Sequence, residues 1–410
     1  MYKFILTTLL FALGQVAFSQ SNLPIIRASS KNVTIRDGNH FKKGYWYIFP
    51  EKKPDFYFVE IPEKPHAVSF ITDMDSISFD IIYGKDYDFI ILLNGKDSCY
   101  TRISANYKNL DHFTRKKVKS GSDTLSFTLG DNDKVYLKGT INGSQPLDIL
   151  FDLGAGGTII KKSSVEKVKM KFDQTIILTN SGGTHQVPTA SRNLLEMGNL
   201  VWDSISIAEG DNMTHREDVI VGNSLFKNKI LEIDYNKKIL IIHDMLPRLD
   251  ASYSQHDIIL DGSVPFIEGS LTFRDKTQKG WMMVDLGAYT SILNSRDVPT
   301  TNKMLGEAKK MIGLSNKAFA PSLNIGIYEF SGFNYSTQKL NGDGFHLILG
   351  SDLMKRFNLI LDNQNGYFYL KPNSLIHEPY RNPEYFVVRV ATGMLILLLI
   401  ILVYWKKRRK

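Results

Sequence analysis

The chain is 410 residues long, 43% hydrophobic and 22% charged, a balance that excludes a disordered or fibrous protein and leaves room for two or three domains. Its formal charge of +8 is concentrated at the ends, in Lys3 and in the run Lys406, Lys407, Arg408, Arg409 and Lys410. What lies between carries only about +2, which gives no electrostatic footprint for nucleic acid. At the N-terminus, Lys3 precedes an apolar run from Phe4 to Phe18, and Ala17 and Ser19 supply the small residues of a cleavage site. Residues 1–19 therefore read as a secretory signal.

Residues 20–123 alternate apolar and polar positions in short runs: Tyr45 to Phe49, Phe56 to Val59, His66 to Phe70, Ser76 to Ile81 and Tyr87 to Leu93. Asn94-Gly95 then marks a tight turn before another strand through Arg102. Strands at this spacing predict a β-sandwich-like domain. Asp73, Asp75 and Ser76 lack the further oxygen ligands of a calcium loop and read as a solvated turn. Cys99 is the only cysteine, so no internal disulfide is available, and its strand pattern marks a small buried hydrophobe. The polar stretch Lys116 to Asp123 closes the domain.

The remainder repeats itself. Asp148-Ile149-Leu150-Phe151-Asp152-Leu153-Gly154-Ala155 runs on through Thr158 to Ile160, and Met282-Met283-Val284-Asp285-Leu286-Gly287-Ala288 runs on through Ser291 to Leu293. Each copy is an apolar strand, the turn Asp-Leu-Gly-Ala, a hydroxyl six residues past the Asp and two more apolar residues. A second pair of blocks, Val219-Ile220-Val221-Gly222 and Leu347-Ile348-Leu349-Gly350, recurs at nearly the same offset. Two independent blocks at one spacing indicate a duplicated unit, 124–246 and 247–374. Asp234 and Asp362 match one another too, each beside turn residues, and read as strand-end turns. His185, His215, His243 and His346 show no metal spacing, so no metal and no cofactor is expected.

After a linker at 375–385, residues 386–405 are almost wholly apolar, with Tyr404 and Trp405 at one end and the basic tail 406–410 beyond. This pattern predicts one transmembrane helix, a lipid partner, an exported body on the periplasmic or extracellular side and a cytoplasmic C-terminus.

The duplicated blocks resemble the retropepsin-like aspartic proteases, over roughly residues 124 to 373. The resemblance implies an all-β fold: the N-terminal β-sandwich, then a two-lobed acid-protease-like pair of β-barrels, then the membrane helix. It implies short helices after Gly222 and Gly350, and a flap hairpin with Gly182 and Gly183 at its tip, with Gly313 to Asn316 as the weaker counterpart. Asp152 and Asp285 take the catalytic positions, and Gly154, Gly287, Ala155, Ala288, Thr158 and Ser291 support their loops. Two carboxyl groups held about 3 Å apart cannot both ionise, so one serves as base and the other as acid toward water. Both copies carry Leu, at 153 and 286, where the family has Thr or Ser, replacing a cross-lobe hydrogen bond by apolar contact. Ala at 155 and 288 implies an optimum nearer neutral pH than in the family's more acidic members. The expectation is an aspartic endopeptidase acting on polypeptides. The alternatives are a pseudoprotease that binds extended peptides without cutting them, and an adhesion module for which the lobes are architecture.

Overall fold

The computed structural model describes residues 23–38, 44–106, 113–117, 121–130, 132–180, 183–211, 213–273, 275–297, 321–340 and 345–380, with Gly393, Met394 and Leu398 beyond them. Strands dominate it. Near the N-terminus, one four-stranded sheet runs in the order Ile25–Ala28, Asp86–Leu93, Asp97–Ser104, Asp55–Phe58, and a second in the order Gly44–Tyr47, Asn32–Asp37, Ala67–Ile71, Ser76–Asp80. Alternation decides the inward faces: Val33 and Ile35 on one strand, Phe89, Ile91 and Leu93 on another, are buried in a shared cluster with Phe70, Ile103 and Cys99. Asn94 and Gly95 both take positive φ, 54° and 68°, as the tight turn requires. Asp73 and Asp75 accept from the backbone N–H groups of Ser29 and Arg27 at 2.9 and 2.8 Å, so the acidic run pins neighbouring backbone. The module meets the rest of the chain through residues 60–64. Ser263 N–H donates to Glu60 at 3.2 Å, Lys64 pairs with Asp257 at 2.8 Å, and Ile61 joins the larger core.

The two copies of the repeat have the same strand connections. In the first, Leu147–Phe151 runs parallel to Val219–Val221, which also pairs antiparallel with Thr158–Lys161. In the second, Lys276–Val284 runs parallel to Phe345–Leu349, which pairs antiparallel with Ser291–Asn294. Phe151 opposes Val221 and Val284 opposes Leu349, so the registers agree as well. Matching hairpins lead in, with Asp133 and Ser263 at positive φ of 59° and 69°. The short helices expected over Asn223 to Lys229 and Ser351 to Phe357 are single turns, a 3-10 turn at Asn223–Phe226 and an α-helical turn at Ser351–Met354, and Phe357 already begins a strand.

An antiparallel run of six strands joins the copies: Ser122–Ser126, Ile239–His243, Ile230–Asp234, Phe357–Asp362, Tyr367–Pro372 and Ser254–Asp261. At its centre Glu232 pairs with Ile360, its own counterpart at the spacing that separates Gly222 from Gly350, so a pseudo-twofold axis passes there. Asn223 and Asn363, both fully buried, exchange amide hydrogen bonds at 2.8 and 2.9 Å beside it. Each amide is satisfied, which such burial demands. Asp234 and Asp362 accept from the backbone of Lys237 and of Gln364 and Asn365, the turn role read for them. One apolar cluster, including Phe151, Leu153, Phe226, Leu286, Leu349 and Phe357, is continuous across both copies.

The single membrane span is overturned. No helix among the described residues is long and apolar enough to cross a membrane, and this removes the single-pass anchor, its lipid contact and the localisation drawn from it. Of residues 386–405 only Gly393, Met394 and Leu398 are described. The signal segment 1–19 and the basic tail 406–410 lie outside the described residues.

Candidate active site

Asp152 and Asp285 each follow the last residue of a buried strand, Phe151 and Val284. The same bond fixes both: Asp152 N–H donates to Val221 carbonyl at 3.0 Å, and Asp285 N–H to Leu349 carbonyl at 3.0 Å. The chain then has to turn, and in both copies the turn carries its aspartate against the other copy. Gly154 N–H and Gly287 N–H both donate to Asp152 Oδ1 at 2.8 Å, the second from across the pseudo-twofold axis. Ala288 N–H donates to Asp285 Oδ1 at 2.8 Å. The two carboxyl groups lie close enough that the charge of Asp285 acts on Asp152.

Glycine is required at 154 and 287 by this approach. A Cβ on Gly154 would lie 2.5 Å from Asp285 Cγ, and one on Gly287 would lie 2.3 Å from Asp152 Oδ2. No side chain fits at those distances, and the atoms struck are the two carboxyl groups themselves.

The other expected residues fall around this centre. Ala155 N–H closes the first turn on Asp152 carbonyl at 3.2 Å. Ser291 is fully buried and its Oγ accepts from Gly350 N–H at 3.2 Å, tying the second loop to the block beneath it. Thr158 is buried at the start of the matching strand. Strands Gln174–Asn180 and Gly183–Met197 form a long antiparallel hairpin in which Asn180 opposes Gly183. Gly183 is thus the first residue of the return strand; Gly182 lies outside the described residues, as does the counterpart at Gly313 to Asn316. Leu153 and Leu286 are both 0% exposed and lie in the apolar core shared by the copies. Each leucine contributes roughly 1.5–3 kcal/mol of burial where the family's hydroxyl contributes a hydrogen bond.

Burial sets the electrostatics. It pushes Asp152 well above the usual carboxylate range, with the charge of Asp285 adding to it and the N–H groups of Gly154 and Gly287 opposing. Burial also raises Asp285, opposed by Ala288 N–H, by the hydrogen bond from Asp152, by Gly287 N–H and by the charge of Lys134. Because the two carboxyl groups act on one another, they titrate jointly and neither owns a single pKa.

Sequence reading passed over Lys134. Its Nζ lies 3.2 Å from Glu217 Oε1, which also accepts from Tyr136 hydroxyl at 3.2 Å. The available signal was the comparison of the copies, because Lys134 and Glu217 correspond to the apolar Val264 and Phe345. A separate cavity of about 470 Å³ lies between Ile327–Ser331 and Ile376–Tyr380. Arg356 lines it and is spent on the carbonyls of Leu375, Ile376 and Glu378, so it holds the C-terminal segment and does not belong to the aspartate pair.

Residues 137–225 match the family model of the aspartyl proteases. This span includes Asp152, Gly154 and Gly222 and ends before the second copy. The chain thus carries an aspartyl protease domain, which supports a hydrolase acting on polypeptides. No curated protein matches the chain.

Proposed function

We propose that the protein is an aspartic endopeptidase whose two lobes, 124–246 and 247–374, each supply one carboxyl group of a single catalytic pair, Asp152 and Asp285. The observation that carries this reading is the hydrogen bond from Gly287 N–H to Asp152 Oδ1 at 2.8 Å, which sets the loop of one copy against the aspartate of the other. In the monoanionic pair the ionised member takes a proton from a water molecule, whose oxygen attacks the peptide carbonyl carbon. The protonated member gives its proton to the carbonyl oxygen. When the C–N bond of the resulting diol breaks, the proton first taken from water goes to the leaving nitrogen while the other carboxylate takes a proton from a diol hydroxyl, which becomes the new carbonyl, and the protonation state of the pair is restored. Neither a metal nor a covalent intermediate enters this scheme. The hairpin 174–197 is suited to cover an extended substrate by backbone pairing. The module 20–123 docks beside the pair's supporting hairpin through Glu60 and Ser263.

The test is incubation of the full chain with an unfolded polypeptide over about pH 3 to 8, beside Asp152→Asn and Asp285→Asn. Cleavage by the parent alone is the expected result. Cleavage that survives both substitutions removes the proposal, and no cleavage by the parent at any pH leaves the peptide-binding pseudoprotease in its place. Alanine at 155 and 288 places the expected optimum above about pH 4, and a maximum below that contradicts the assignment of these loops.

A further inference from the structure

The hairpin that leads into each copy carries its tip across to the other copy, and the two tips are anchored by different means. In the first copy the tip is Asn132-Asp133. The hydroxyl of Ser351 lies 3.2 Å from Asn132 carbonyl and 3.0 Å from the carbonyl of Ala288, in the second aspartate loop. Asp133 clamps this corner through its own carboxylate, 3.1 Å from the buried ammonium of Lys355. In the second copy the tip is Gly262-Ser263. Gly262 carbonyl lies 3.0 Å from where a Cβ on Gly156 would stand, in the first aspartate loop. Asn223, the counterpart of Ser351, donates to Ser263 carbonyl at 2.9 Å. The lysine of this corner is present too, since Lys227 is the counterpart of Lys355. The carboxylate is not, because Ser263 stands where the first copy has Asp133.

Glu60 of the N-terminal module occupies that place. Its carboxylate accepts from Ser263 N–H at 3.2 Å and lies 3.9 Å from Lys227 Nζ. The module fixes Glu60 from behind: Glu60 N–H donates to Asp37 Oδ2 at 3.1 Å, and Asp37 is held by Tyr57 hydroxyl at 2.8 Å and by His66 Nε2 at 2.6 Å. The side chain of Glu60 is only 12% exposed, so solvent screens these contacts little. Resting on the catalytic reading above, we propose that Glu60 is a positioning residue lent by the N-terminal module, a stand-in for Asp133 that holds the second hairpin tip against the loop of Asp152. The module is thereby part of the scaffold of the site. Its other docking contacts, Lys64 with Asp257 and Ile61 beside Gly366, reach the second copy at places other than the tip.

Four variants of the full chain test this: Glu60→Ala, Glu60→Gln, Lys64→Ala, and Glu60→Ala with Ser263→Asp, which returns a carboxylate to the tip. Asp133 holds φ of 59° at the first tip, so aspartate accepts the left-handed backbone that Ser263 has at 69°. Two quantities are read, kcat and KM on an unfolded polypeptide and amide hydrogen exchange over residues 152–158 and 260–265. Glu60→Ala is expected to lower kcat about tenfold with KM within about twofold of the parent, because the loop is displaced and not the substrate. Exchange in both segments is expected to quicken at least about tenfold. Glu60→Gln moves both quantities in the same sense by less, and decides the matter if the alanine variant does not fold. Lys64→Ala, which breaks docking away from the tip, leaves both as in the parent, and the added Ser263→Asp restores both. Exchange over 152–158 unmoved in both Glu60 variants would overturn the proposal. An equal change in Lys64→Ala also overturns it, because the effect then belongs to docking at large, and so does a double variant that recovers nothing. Exchange needs no turnover, so a chain that cleaves nothing fails the catalytic reading and still decides whether Glu60 holds the loop.

Discussion

In the first copy of the repeat, a lysine and a glutamate flank the aspartate loop; in the second, a valine and a phenylalanine hold the same register positions. The reverse contrast appears one turn of chain below the loops. There the second copy buries Asp352, and the first has Ser224. Duplication has kept what must be equal for two carboxyl groups to meet: the parallel strand pair, the turn glycine, the apolar block and the buried leucine. It has let charge diverge around that frame. Backbone geometry tolerates little change when two loops touch, whereas a single chain is free to make its two halves chemically distinct.

Equivalence of the leucines is the place to break this comparison. Leu153→Ala and Leu286→Ala are each expected to cost about 4 kcal/mol in denaturant unfolding, because both side chains are fully buried in one core. A cost confined to one of them means that the cores are not matched.

Asp352 sharpens the contrast from the other side. Burial raises its carboxyl to about 7, opposed by Leu353 N–H and Arg356, so the folded protein holds a proton that the unfolded chain releases near the ordinary carboxylate value. That contribution is fully present below about pH 4 and is lost as pH rises through 7, an effect on the order of 3 kcal/mol. Unfolding measured between these limits should therefore show stability falling with pH in the parent and flattening in Asp352→Asn. Ser224→Asn, its counterpart, should leave the pH dependence in place.

The loop glycines come next. Gly154→Ala and Gly287→Ala are each expected to lower kcat by about 10²-fold with little change in KM, since an added Cβ displaces the carboxyl group of the opposite copy. Steady-state rates near neutral pH read this directly, and full activity in either variant is incompatible with contact between the loops. The smallest effect is at the docked module. Lys64→Ala removes an exposed pair with Asp257 and should change stability by less than about 1 kcal/mol.

Much of this frame is legible in the chain. The two aspartates, the glycines after them and the apolar blocks recur at nearly one offset, because a loop that buries a carboxylate against its twin admits few alternatives. The strand-end role of Asp234 and Asp362 is readable from their turn neighbours. Lys134 is not readable from its own surroundings, since a lysine at a strand start is ordinary, and only the register with Phe151 shows what it stands beside. At residues 386–405 the apolar run satisfies a composition rule for crossing a bilayer, but composition does not fix a continuous helix, and none of the described helices is long enough. Of the expected tip residues, Gly183 opens a return strand by pairing with Asn180, and Gly182 lies outside the described residues.

The most direct measurement compares Asp152→Asn, Asp285→Asn and the double variant in kcat/KM on one polypeptide substrate. Two carboxyl groups acting as a unit on one water molecule predict that each single variant loses at least about 10³-fold and that the double variant loses no more than the worse of the two. A single variant within about tenfold of the parent, or losses that multiply in the double, would show that Asp152 and Asp285 do not share one task.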